Sequence, residues 1–85
     1  MIPYRVVSVK PLEHLRLAVH FADGLNGEVV FKESHLYGVF AALKDPKLFS
    51  EVHCNQGFVE WPSEIDIAPD AMYDEIKARG IWVLE

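Results

Sequence analysis

Apolar and polar positions alternate most cleanly between His14 and Phe21. Leu15, Leu17, Val19 and Phe21 share one side and His14, Arg16, Ala18 and His20 the other, the period-two signature of a strand with one buried face. Tyr4 to Val9 is rich in β-branched residues and lies between Pro3 and Pro11, so it reads as a preceding strand with Pro11-Leu12-Glu13 as the turn. Ala22 to Gly27 holds an Asp-Gly and an Asn-Gly dipeptide, both tolerant of positive φ, and Glu28 to Phe31 resumes the extended pattern. Residues 4–31 are therefore predicted to form a three-stranded antiparallel meander, with Asp23 and Gly24 as a structural turn.

The spacing then changes. Leu36, Val39, Phe40 and Leu43 recur at helical intervals until Asp45-Pro46, where the residue before proline leaves the helical region. Asp45 can cap a new turn with Pro46 at its first position, which would point Leu48 and Phe49 inward. Glu51 to Cys54 and Phe58 to Trp61 read as a short strand pair around Asn55-Gln56-Gly57, and Ile65 to Ile67 as a brief extended segment. Pro69 opens a helix with Asp70 and Asp74-Glu75 toward its start and Arg79 and Gly80 at its end, burying Met72, Tyr73 and Ile76. The apolar tail Ile81-Trp82-Val83-Leu84 must add a strand to the sheet or pack on another chain. The expected fold is α+β: a small antiparallel sheet, made of the meander and a second short strand pair, with short helices on one face and a C-terminal helix.

Composition narrows the classes. At 85 residues the chain has room for one domain, expected to span residues 1–85. With 51% hydrophobic residues it is too apolar to be disordered, yet no apolar run approaches the ~20 residues of a membrane span. One cysteine excludes an internal disulfide, and the N-terminus carries no signal-type apolar core, so a cytoplasmic location is expected. Net charge is −5 and uneven: residues 1–50 carry +1 and residues 51–85 carry −6. An acidic chain without a basic face is not expected to bind nucleic acid directly, whereas it suits a basic protein partner.

No constellation points firmly to catalysis. The four histidines, His14, His20, His35 and His53, include no pair at zinc-ligand spacing. Cys54 adjoins His53, but neighbours on a strand point to opposite faces, so a small buried thiol is the better reading. Glu60, Glu64, Asp66 and Asp70 lack the glycine and alternate ligands of a calcium loop and read as an acidic rim. Phosphate-loop, dinucleotide and serine-elbow motifs are absent. No catalytic, metal-ligating or cofactor-binding residue is assigned, and no cofactor is expected. Trp61, ending a strand beside Pro62, reads as core or interface filler, and because such a position is often half exposed an interface role stays open.

Three elements in order carry a resemblance. They are Phe21-x-Asp23-Gly24, then Gly38-x-Phe40-x-x-Leu43-x-Asp45 with Phe49, then Trp61-Pro62 with Asp66-Ile67-x-Pro69-Asp70 and Met72-Tyr73. Together they resemble the small bacterial domain-of-unknown-function family numbered 2442, over about Tyr4 to Tyr73. The resemblance implies a compact α+β domain of unassigned biochemistry. It also implies members encoded beside a second small protein, commonly of the family numbered 4160, in a module like a toxin–antitoxin pair. Other members carry a helix-turn-helix domain after this one, and with the sequence ending at Glu85 none is expected here. Ala68 departs from the pattern where a capping Ser is expected.

The expected function is a protein-interaction module, antitoxin-like within a two-gene system, with Trp61 as anchor and Asp66 and Asp70 as charged surroundings. Two other classes compete. One is a small enzyme or metabolite-binding domain using His20, Asp23 or the carboxylates near Asp66. The other is a homo-oligomer joined through the tail. The expected partner is a protein or a second copy, with no nucleic acid and no membrane.

Overall fold

A computed structural model describes residues 4–62 and 64–85. Pro3, the expected boundary before the first strand, lies outside the described residues. Strands β1 (Val6–Pro11), β2 (Arg16–Phe21) and β3 (Asn26–Phe31) form the antiparallel meander. Two 3-10 segments follow, Glu33–His35 and Gly38–Lys44, then helix α1 (Pro46–Phe49). Strands β4 (His53–Asn55), β5 (Phe58–Trp61) and β6 (Ile65–Ile67) make a second antiparallel sheet. Helix α2 (Pro69–Arg79) and strand β7 (Ile81–Leu84) complete the chain. The order β1-β2-β3-β7 makes the first sheet four-stranded, with β7 parallel to β3. The apolar tail therefore adds a strand to its own sheet, and the protein is α+β.

The inner faces follow the strand period. Leu17, Val19 and Phe21 of β2 meet Val6, Val29 and Phe31, and the same buried cluster takes in Leu43, Phe49, Val59, Trp61, Met72 and Ile76. The polar sides of β2 and β3 face outward, where Arg16 Nε lies 3.1 Å from Glu28 Oε1.

Several boundaries differ from expectation: β1 runs on to Pro11, which pairs with Leu17 instead of opening the turn, and β4 begins at His53 rather than Glu51. Leu15 takes a φ of 69°, which ends the extended run, so β2 starts at Arg16 rather than His14. His14 instead brings its Nε2 to 3.0 Å from the Leu43 carbonyl. The turn between β2 and β3 needs only residues 22–25: Gly24 supplies a φ of 95°, and the Leu25 N–H donates to Asp23 Oδ1. Asn26-Gly27 thus belongs to β3. Gly27 is required there for close approach, because a Cβ would stand 2.5 Å from Ile76 Cγ2 and 2.6 Å from the Gly80 carbonyl oxygen. Finally, the segment after Tyr37 winds as a 3-10 helix, with three residues per turn. That period turns Phe40 and Leu43 inward and leaves Val39 68% exposed, outside the apolar stripe that a 3.6-residue period places it in.

Caps form where the residue types allow. Asp45 accepts the Lys47 N–H at 3.0 Å and begins α1. Gly80, at φ 79°, ends α2 and aims the chain along β3. Ala68 starts α2 with no side-chain cap. Gln56 and Gly57 both take positive φ, 52° and 89°, the signature of the tight turn that joins β4 to β5. Among the described residues no helix is long and apolar enough to cross a membrane.

Candidate functional site

The second sheet has two unlike sides. Val59, Trp61, Ile65 and Ile67 point into the core, while Phe58, Glu60 and Asp66 point out. This alternation corrects the expectation for Trp61. It is only 2% exposed, its Nε1–H donates to the Phe49 carbonyl at 2.9 Å, and its ring packs edge-on to Phe31. A side chain enclosed on all sides has no surface to give a partner. Its contribution is to hold α1 against β5.

The outward side carries the chemistry. His53, Glu60 and Asp66 stand in register across β4, β5 and β6, with His53 Nε2 3.3 Å from Glu60 Oε1. Glu60 and Asp66 are directly opposite each other, and like charges so placed destabilise a sheet. Glu64 and Asp70 are exposed nearby in sequence, Asp70 in the first turn of α2. Between Lys47 and Lys77 the sequence itself holds no lysine or arginine, and the cation that reaches the recess beside Phe58, Arg5, comes from the segment before β1.

Beside the acidic row lies an apolar shelf. Phe58 is 47% exposed, and with Tyr4 and Pro69 it lines a shallow recess across which Arg5 runs over Gly57. Phe58 has no place among the expected interface residues, because its orientation follows only from which way the β5 pleat faces. Once Val59 and Trp61 are inward, the period of two turns Phe58 and Glu60 outward. Of the three residues expected at an interface, Asp66 and Asp70 are on the surface and Trp61 is beneath it, while Phe58 of the same strand is exposed.

The residues weighed for an enzyme do not converge. His20 lies on the outer side of the first sheet, 3.4 Å from Ser8 Oγ. Asp66 is on the second sheet. Asp23 sits at the β2–β3 turn, where its Oδ2 accepts the Tyr73 O–H of α2 while Oδ1 accepts the Leu25 N–H. The Tyr73 hydroxyl, then the Leu25 N–H, hold the Asp23 carboxyl below the usual carboxylate range. The same bond raises the Tyr73 hydroxyl above its usual value. Lys77 Nζ, 5.7 Å from the Tyr73 ring centroid, covers the pair. The arrangement fastens the turn to α2, with one bond accepted at each carboxylate oxygen. Cys54 donates its thiol to the Val6 carbonyl at 3.1 Å, on the opposite side of β4 from His53, so the two form no dyad. Among the described residues no three His, Cys, Asp or Glu side chains gather as a metal site.

No curated protein and no solved structure is similar enough to match the chain. One family model does match, over residues 6–78, from the first residue of β1 to within one residue of the end of α2. That span takes in the meander, the second sheet and the acidic row, and by it the chain belongs to the family described as protein of unknown function DUF2442.

Proposed function

We propose that this protein is a protein-interaction module whose acidic second sheet docks a small basic protein. The observation that carries this reading is the outward side of β5 and β6. An exposed aromatic shelf at Phe58 adjoins two carboxylates, Glu60 and Asp66, kept directly opposite each other. An apolar centre within a charged margin is the ordinary anatomy of an interface. The unfavourable carboxylate pair is relieved when a cation is brought to it, so a basic partner gains from what the free protein bears as a cost. The same charge repels nucleic-acid phosphates.

Within this reading Phe58 is the anchor, and Glu60, Asp66 and Asp70 steer and orient the partner. The biological setting we assign is a bacterial, cytoplasmic, two-gene system in which this chain neutralises its neighbour in the manner of an antitoxin. The family membership supports this setting through the paired gene arrangement that the resemblance implies.

Affinity capture from native lysate, read by mass spectrometry, tests the proposal with the native chain beside an Asp66→Lys/Asp70→Lys variant. A small basic protein retained in stoichiometric amount by the native chain, released by salt and lost from the variant, is the expected result. Equal retention by both chains, or no stoichiometric protein, would overturn it.

A further inference from the structure

We infer that the recess at Phe58 receives the carboxyl-terminal residue of the partner, an apolar side chain whose free carboxylate pairs with Arg5. The inference rests on the proposed docking of a basic protein and specifies which part of that protein the recess takes.

Arg5 is an unpaired cation in an acidic chain. Among the described residues the ion pairs are Arg16 with Glu28, His53 with Glu60 and Arg79 with Glu75, which leaves Arg5 without a carboxylate in a chain that has 13 acidic residues. Its place is nevertheless fixed. Its carbonyl accepts the Ala22 N–H at 2.8 Å, and the next residue, Val6, donates its N–H to the Gly57 carbonyl at 3.0 Å. Its side-chain stem crosses Gly57 so closely that a Cβ there would stand 2.8 Å from Arg5 Cγ. Gly57, at φ 89°, is thus a glycine both for the turn and for the arginine. An exposed guanidinium at the wall of an apolar recess offers its planar fork of donors to a carboxylate.

The size and order of the surface supply the rest. The recess between Tyr4, Phe58 and Pro69 offers about 70 Å³ to water. One water needs roughly 10–15 Å³ counted this way, so the space takes about five to seven atoms, which is one branched or aromatic side chain and not a cofactor. Along β5 the order is cation, aromatic, anion: Arg5 over Gly57, then Phe58, then Glu60 on the same side two residues on, with Asp66 opposite Glu60. An extended chain end laid from Glu60 toward Gly57 presents the complementary order of basic side chain, apolar side chain and terminal carboxylate. Two residues of extended chain advance about 6.6 Å on either side of the contact, so a basic residue third from the partner's end meets Glu60 and Asp66. A basic protein can do without acidic side chains, but it always carries its terminal carboxylate. One fixed cation beside an acidic row therefore selects that end over an internal segment.

Fluorescence polarisation tests this on the native chain with a dye-labelled hexapeptide, lysine third from its end and leucine last, at protein concentrations from about 1 μM to about 1 mM. The peptide with a free carboxylate is expected to bind at least about tenfold more tightly than the same peptide ending in an amide. Arg5→Gln, which keeps much of the stem and removes the charge, should abolish that preference. Phe58→Ala should weaken both peptides, and Asp66→Asn should weaken both while keeping the preference. Equal binding of acid and amide, binding of neither, or a preference that survives Arg5→Gln would overturn the inference. Lysate capture separates it from the proposed function. A basic protein retained equally by the native and Arg5→Gln chains would leave the docking surface standing and overturn the role of the chain end. A free-acid peptide bound through Arg5, with no basic protein captured, would uphold the recess as a carboxylate site and overturn the docking of a basic protein.

Discussion

The two sheets obey the same rule on their inner faces and different rules on their outer ones. On the first sheet, outward charges come as opposites: Arg16 meets Glu28 across β2 and β3. On the second, Glu60 meets Asp66 across β5 and β6, and His53 is the one basic-capable group in the row. The first sheet's outer side is arranged for the free protein. The second sheet's outer side sets two carboxylates in register with only His53 beside Glu60, and such a like-charge pair at a surface is where a binding reading has physical content. A chain with a net charge of −5 needs no such pair to stay soluble.

The largest perturbation of this contrast is Trp61→Ala, which acts on the inner face alone. It removes the buried ring and strands the Phe49 carbonyl, and should cost about 3–5 kcal/mol in a denaturant titration. A loss below about 1 kcal/mol would mean the ring is not core. Gly27→Ala comes next. Its Cβ would press on Ile76 and on the Gly80 carbonyl, so about 1–3 kcal/mol should be lost at the seam between α2 and β3.

A smaller effect is read through pH. Asp23 titrates lower folded than unfolded, so its contribution is full above the ordinary carboxylate value of about 4 and fades as pH falls through the lowered folded value. Tyr73 titrates higher folded than unfolded, so its contribution is full below about 10 and fades as pH rises through the raised folded value. Tyr73→Phe should flatten both limbs of the stability profile, and a profile unchanged by it would dismiss the bond. The smallest changes sharpen the comparison most. Asp66→Asn should raise stability by about 0.2–1 kcal/mol while weakening capture of the partner. Glu28→Ala should lower stability by no more than about 1 kcal/mol and leave capture alone.

Much of the fold was legible because strand periodicity and caps are local. The β2 alternation, the Asp23-Gly24 turn, the Pro69 opening and the Gly80 cap of α2 are all visible within a few residues. What was not legible depends on partners distant in sequence. Asn26-Gly27 has the composition of a turn, but Gly27 is a glycine for the sake of Ile76 and Gly80, some fifty residues on. Val39 fits an α-helical stripe, and only the tighter 3-10 winding turns it out. Trp61 beside Pro62 looks like a strand end near solvent, yet α1 folds back so that the Phe49 carbonyl meets its indole N–H. The acidic side of the second sheet was legible as composition. Its exposed aromatic was not, since Phe58 and Trp61 exchange places according to which way the β5 pleat faces. The tail read equally as sheet or as interface, and its parallel pairing with β3, a strand some fifty residues earlier, shows the first.

The central claim is that the second sheet, and not the first, is the docking surface for a basic protein. Capture by the Phe58→Ala variant, set beside capture by an Arg16→Ala/Glu28→Ala variant, tests it most directly. Loss of the exposed anchor should weaken retention by about 2 kcal/mol, or roughly thirtyfold, while loss of the charge pair on the first sheet leaves retention at the native level. Retention that survives Phe58→Ala, or that fails with the first-sheet variant instead, would contradict the account.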